Sequence, residues 1–133
     1  MRQARWAMAL GVAAAILAFA LPAFSQERDS DGTRMQARQV ELDSTHSDRL
    51  DPPDEQADWR MIRLDEESEI KLELNVRPSN VSADLTLTNA TGEELQVETT
   101  SGSNATIERT LLAGIYYIAV KSDDSLRYEL SIR

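Results

Sequence analysis

The chain has 133 residues, with 23 acidic against 14 basic side chains and no cysteine, so its formal net charge is −9. This length predicts one domain, and the acidic balance argues against nucleic acid or anionic lipid as a partner. The lack of cysteine excludes a disulfide framework and a lipid-modified N-terminal Cys.

Residues 1–25 have the layout of a secretory signal peptide. Arg2 and Arg5 precede a long uncharged apolar stretch, and the small-residue segment A-F-S at 23–25 suits cleavage. An uncleaved membrane anchor is the alternative, because the apolar stretch is about long enough to span a bilayer. We favour cleavage because Pro22 interrupts the helix and no basic cluster follows it. The product would be periplasmic or secreted, with 12 basic and 23 acidic residues and a net charge of −11.

Residues 26–57 are mostly charged or polar, and Val40, Leu42 and Leu50 are nearly their only large aliphatic residues. So little apolar surface does not offset the entropy lost on ordering. We therefore expect a disordered acidic linker that ends near the Pro52-Pro53 pair.

From residue 58 to 133, apolar and polar residues alternate with the period of half-buried strands. Turn residues such as Gly92 separate the runs. The predicted strands are 58–64, 69–76, 83–88, 94–99, 106–111, 116–120 and 127–133. About seven short strands at this spacing predict an all-β, antiparallel β-sandwich.

Three motifs follow one another in this region. They are A-D-L-x-L-x-x-A-x-G-x-x-L (83–95), I-x-x-x-L-x-A-G-x-Y-Y-I-x-V (107–120) and Y-x-L-x-I (128–132), preceded by a D-W pair in the first strand. In this order they resemble the bacterial pre-peptidase C-terminal domain family, over residues 51–133. The resemblance implies a jelly-roll-like, non-catalytic sandwich that accompanies secreted enzymes, some relatives of which bind calcium or an extracellular polymer.

Arg60 and Arg109 depart from that pattern, because they fall in the inward phase of their strands where the family more often has aromatic residues. Either they face the edge of a cavity, or their charged ends reach out to solvent at a sheet rim. We expect the second arrangement.

Catalytic residues are scarce in this sequence. The only histidine, His46, lies in the predicted linker, which would not hold it within hydrogen-bond reach of a serine in the sandwich. One histidine without cysteine is also a poor zinc site. We therefore expect a protein that is not an enzyme; a small hydrolase using a carboxylate pair is the less favoured alternative.

Four aspartates are candidates for a calcium site: Asp51, Asp54, Asp58 and Asp84. Together they would supply the oxygen ligands that Ca²⁺ prefers. The alternative, which we favour, is that they are solvated turn residues of an acidic protein. The sequence thus predicts no obligatory cofactor, with Ca²⁺ as the one candidate.

Trp59, Met61 and Tyr117 fall in the outward phase of their strands. Exposed flat side chains can stack on sugars or hold an apolar group of a partner. The alternative, which we favour, is that they cover the sandwich edge or pack on the linker.

These features predict an exported, non-catalytic β-sandwich module that binds an envelope component, a polysaccharide or a protein, and that is a monomer. The alternative is a calcium-dependent folding or stability accessory of a separately encoded secreted hydrolase.

Overall fold

The computed structural model describes residues 32–133, which form a sandwich of two β-sheets. A short 3₁₀ helix at Arg34–Gln36 precedes the strands. The strands are β1 (Arg38–Gln39), β2 (Ser44–Leu50), β3 (Ala57–Leu64), β4 (Ser68–Arg77), β5 (Asp84–Asn89), β6 (Glu94–Thr99), β7 (Asn104–Leu111), β8 (Gly114–Lys121) and β9 (Leu126–Ile132).

One sheet has five strands in the order β1-β3-β8-β5-β6, and the other has four in the order β2-β9-β4-β7. All pairings are antiparallel except that of β1 with β3. From β2 onward, most connections cross from one sheet to the other. The predicted fold class is therefore confirmed, and the seven predicted strands correspond to β3 through β9.

The core lies between the two sheets and is built by the alternation that the sequence displays. On β4, Ile70, Leu72, Leu74 and Val76 are buried while the intervening side chains face solvent. Equivalent aliphatic residues of β3, β5, β7, β8 and β9 complete one continuous apolar cluster. Burial of about 1.5–3 kcal/mol per large side chain makes this cluster the main stabilising term.

The β5–β6 turn depends on Gly92, whose φ of 92° lies in the left-handed region. Its Asn89 side chain accepts hydrogen bonds from the backbone N–H groups of Thr91 and Glu93, at 3.1 and 2.9 Å. A Cβ atom at position 92 would also lie 3.0 Å from the guanidinium of Arg34. The predicted role of Gly92 is thus confirmed, and the turn doubles as a docking site for Arg34.

The predicted linker needs correction, because much of residues 32–57 belongs to the sheets. Strand β2 pairs with β9 along its whole length, from Ser44 opposite Ile132 to Leu50 opposite Leu126. Leu50 is 1% exposed and lies in the core. The sandwich therefore begins well before residue 58.

The polar character of β2 explains why periodicity did not show it. The inward side of the strand carries Ser44, His46, Asp48 and Leu50, of which only the last is apolar. Its order derives from the backbone pairing with β9 and from contacts that its polar side chains make inside the sandwich.

The predicted signal peptide (1–25) and residues 26–31 lie outside the described residues. Within 32–133 there is no helix with the length and apolar character needed to cross a membrane.

Candidate binding surfaces

A buried polar cluster joins the two sheets at one end of the core. The Tyr128 hydroxyl of β9 donates a 2.6 Å hydrogen bond to Oδ2 of Asp58 on β3. Nη2 of Arg60 donates to the Tyr128 oxygen at 3.1 Å. Burial, followed by the hydrogen bond to Asp58, raises the pKa of Tyr128 above its usual value, so its hydroxyl stays protonated.

This cluster corrects the expectation for Arg60, which does not reach solvent. Arg60 is only 3% exposed, and its guanidinium lies 3.5 Å from Oδ2 of Asp48 on β2. An unpaired charge at this depth would carry a large desolvation penalty. Asp48 therefore supplies Arg60 with a carboxylate from β2 and contributes to the docking of this polar strand.

Arg109 lies on the edge strand β7 of the four-stranded sheet. It is half-buried, and its Nη1 donates a 2.8 Å hydrogen bond to the carbonyl oxygen of Leu95 on β6. This contact joins the edges of the two sheets.

The structure does not bring the four candidate calcium ligands together. Asp58 is buried against Tyr128, Asp51 accepts a hydrogen bond from Ser125 at 3.3 Å, and Asp84 accepts one from Thr99 at 2.6 Å. Asp54 lies exposed in the turn that precedes β3. Nowhere in residues 32–133 do three or more His, Asp or Glu side chains cluster as metal ligands. Calcium binding stays a prediction, without a site in the described chain.

His46 is ordered in β2, contrary to its predicted place in a linker, and lies 2.8 Å from the hydroxyl of Ser44. That hydroxyl donates its single hydrogen to the carbonyl oxygen of Glu41. His46 Nε2 must then be the donor to Ser44, which is the wrong direction for a base that activates a nucleophile. Partial burial, then the charges of Arg60 and Arg38, lower the pKa of His46.

Trp59, Met61 and Tyr117 lie together on the outer side of the five-stranded sheet, a surface that we call the aromatic face. Met61 is the register partner of Tyr117, and Trp59 is opposite Ala119. Ala119, on the same outward side of the sheet, is fully buried.

Two cations cover part of the aromatic face. Arg34 Cζ lies 5.3 Å from the Tyr117 ring centroid, and Lys121 Nζ lies 5.0 Å from that of Trp59. Arg34 also donates to the Ala90 carbonyl oxygen at 3.0 Å, which holds it over the sheet. All three predicted binding residues are half-exposed, and Arg34 comes from the segment predicted to be linker.

A groove of ≈ 1030 Å³ runs over the outer side of the four-stranded sheet; we call it the arginine groove. Strands β2, β9 and β4 form its floor, and the loop after β4 forms one wall. The lining residues are Ser47, Asp48, Arg49, Asn75, Val76, Arg77, Pro78, Ser79, Ser103, Arg127, Tyr128 and Glu129. A second depression of ≈ 480 Å³ borders the same three arginines.

The three arginines form a single row across the sheet. Arg127 on β9 is the register partner of Arg49 on β2 and of Arg77 on β4. All three point to solvent. Sequence reasoning missed this row because its members are far apart in the chain and one of them lies in β2.

Comparison with solved structures identifies the architecture. The pre-peptidase C-terminal domain of a collagenase from Bacillus anthracis superposes with a TM-score of 0.66 and 17% sequence identity, over 73% of this chain and 94% of that one. The chain has the fold of a pre-peptidase C-terminal domain. A surface-associated copper-binding protein of Methylomicrobium album BG8 is also similar, with a TM-score of 0.54 and 6% identity over 73% of this chain and 98% of that one.

The resemblance stated from the motifs is thus confirmed at the level of the fold. No family model matches the chain, and no curated protein does. On this pre-peptidase C-terminal fold the aromatic face and the arginine groove lie on opposite sides of the sandwich, so either can be tested without disturbing the other.

Proposed function

We propose that the chain is an exported, non-catalytic binding module, periplasmic or secreted, that acts as a monomer and holds a polysaccharide or protein partner in the arginine groove. The groove is the observation that carries this proposal. It is an open concave surface of the size in which ligands bind, and it lies on rigid paired strands.

The aromatic face is the weaker candidate. Arg34 and Lys121 already occupy positions over the Tyr117 and Trp59 rings, so a sugar would have to displace them before stacking. The predicted alternative, that these residues pack against the preceding segment, fits this arrangement better.

The fold and the side-chain chemistry support a role without catalysis. The collagenase neighbour is a domain of a larger enzyme, and the Ser44–His46 pair is oriented against base catalysis. The layout of residues 1–25 supports export. Because the candidate calcium ligands do not converge, the calcium-dependent accessory role has no structural observation in its favour.

The test is binding of the full chain to a panel of neutral and acidic polysaccharides and extracellular proteins. Asn75 lies on the groove floor, and a bulky Asn75→Trp change should block binding. Thr106→Trp, on the same sheet but outside the groove, is the matched control and should bind normally, as should Trp59→Ala. Loss of binding in Trp59→Ala with normal binding in Asn75→Trp would transfer the function to the aromatic face. Absence of binding to every member of the panel would contradict the proposal.

A further inference from the structure

We infer that the row of Arg49, Arg127 and Arg77 recognises anionic groups, and that the ligand of the groove is an acidic polysaccharide that carries carboxylates. This inference rests on the proposed function and adds the chemical class of the partner. It follows from the placement of the row, from its surroundings and from the remaining chemistry of the groove.

The placement of the three arginines is unfavourable for folding alone. Adjacent strands are about 4.8 Å apart, so the row spans roughly 10 Å. Like charges directly opposite one another destabilise a sheet, and here one arginine has such a neighbour on both sides. This occurs in a chain whose acidic residues outnumber its basic ones.

Carboxylates within the described chain do not neutralise the row. None of the three guanidinium groups forms an ion pair with an acidic residue of 32–133. Elsewhere on the same face cations are paired: Lys71 lies 3.6 Å from Glu108, and Arg133 lies 3.0 Å from Glu73. The unpaired row is therefore a local exception.

Three acidic residues border the two depressions, and none of them is paired with the row. Asp48 points inward to Arg60. Asp51 accepts a hydrogen bond from Ser125. Glu129 lies one row away, between Ser47 and Asn75. The guanidinium groups thus remain available, and their planar forks match carboxylates in a bidentate geometry.

The rest of the groove favours a sugar over a protein. Apart from the arginines and the carboxylates of Asp48 and Glu129, its polar groups are hydroxyls and an amide, from Ser47, Ser79, Ser103 and Asn75, which suit the hydroxyls of a saccharide. Protein interfaces usually have an apolar or aromatic centre. The exposed large apolar residues, Met35, Val97, Leu112 and Ile115, all lie outside the groove.

Charge density separates a polyuronate from a nucleic acid. Duplex DNA carries about one charge per 1.7 Å, so the net charge of −9 repels it more strongly than it repels a polyanion of lower charge density. A polyuronate has one carboxylate on each sugar ring, which is sparser. Physiological salt screens charges that are more than about 8 Å away. The nearby arginine row is therefore the main electrostatic contact of a ligand in the groove.

The test compares binding of the full chain to polygalacturonate and to its methyl ester by calorimetry at physiological salt. The ester keeps the sugar backbone and loses the charge, so we expect it to bind at least tenfold more weakly. Arg127→Gln should weaken polygalacturonate binding at least tenfold. Arg63→Gln removes the same charge at an exposed site outside the groove, and should change binding less than twofold.

A melting curve gives a second readout. Because Arg127 has like charges on both sides, Arg127→Gln should leave the melting temperature unchanged or raise it. A lowered melting temperature would show that the arginine has a structural role, and would overturn the inference.

The outcomes distinguish this inference from the proposed function. If the acid and the ester bind equally well and Asn75→Trp binds neither, the groove is still the binding site. The inference that the ligand is anionic would then be overturned. Tighter binding of poly-L-glutamate than of polygalacturonate would replace the polysaccharide with an acidic polypeptide. Absence of binding to both polygalacturonate and alginate would overturn the inference, while the wider panel would still decide the proposed function.

Discussion

Tyr128 links both sheets through one hydroxyl, which donates to Asp58 and accepts from Arg60. The three side chains are at most 4% exposed, so water does not replace a lost partner. The cluster therefore holds Arg60, the only deeply buried cation among the described residues, in contact with both sheets. Loss of one member of the cluster should lower the free energy of unfolding by more than the small number of hydrogen bonds suggests.

Tyr128→Phe should lower the free energy of unfolding by about 1–3 kcal/mol, because it leaves the Asp58 carboxylate with one partner fewer in the core. Urea titration measures this. Tyr116→Phe is the matched control: its hydroxyl donates to the Leu112 carbonyl oxygen at an exposed position, so we expect a change within about 0.5 kcal/mol. Equal losses in the two variants would contradict the account of the cluster.

His46 predicts a dependence of stability on pH. Its pKa is lowered in the folded chain, chiefly by partial burial and then by Arg60 and Arg38. In the unfolded chain it takes up a proton near pH 6.5, whereas in the folded chain it does so only at lower pH. Stability should therefore fall as the pH drops below about 6.5.

His46→Gln should remove that part of the pH dependence. Urea unfolding of both proteins between about pH 8 and pH 5.5 tests it, with the difference between them expected to change across that window. Parallel curves would show that the histidine has the same pKa in both states.

At the scale of the strand, β2 is the longer of the two strands that sequence reasoning did not foresee. Strands β3 to β9 were predictable because each carries a visible alternation of aliphatic residues. In β2 the inward positions hold a serine, a histidine and an aspartate before Leu50. It contacts the backbone of β9 and the guanidinium of Arg60, which are distant from it in sequence. The local sequence pattern therefore does not indicate that this strand forms.

The same difference between local and long-range information explains why one candidate surface was predicted and the other was not. The outward placement of Trp59, Met61 and Tyr117 followed from the period of their own strands. The arginine row follows only from the register of β2 against β9 and of β9 against β4. Register between distant strands depends on tertiary contacts, which a single sequence does not display.

Leu50→Ala should cost about 2–5 kcal/mol of unfolding free energy, as expected for a fully buried leucine. Met35→Ala, also in the segment predicted to be linker, is the control; Met35 is 88% exposed, and the change should stay within about 0.5 kcal/mol. Chemical denaturation of the two variants decides the matter. A small loss of unfolding free energy in Leu50→Ala would contradict the place of β2 in the core and would support the predicted linker.

At the scale of the whole molecule, we expect the sandwich to be stably folded without a bound metal ion. The described carboxylates do not converge, so we expect the melting temperature to be the same with excess Ca²⁺ and with a chelator. A rise on adding Ca²⁺ would show a site that the described residues do not form, and would revive the calcium-dependent accessory role.

The central claim is that β2 is an integral strand, since the arginine groove and the contact of Arg60 with Asp48 both require it. Hydrogen–deuterium exchange of the full chain tests this most directly. We predict that the paired amides of β2 are protected about as strongly as those of β9, because the two strands share one ladder of hydrogen bonds. Complete exchange of β2 within seconds, with β9 still protected, would contradict the account.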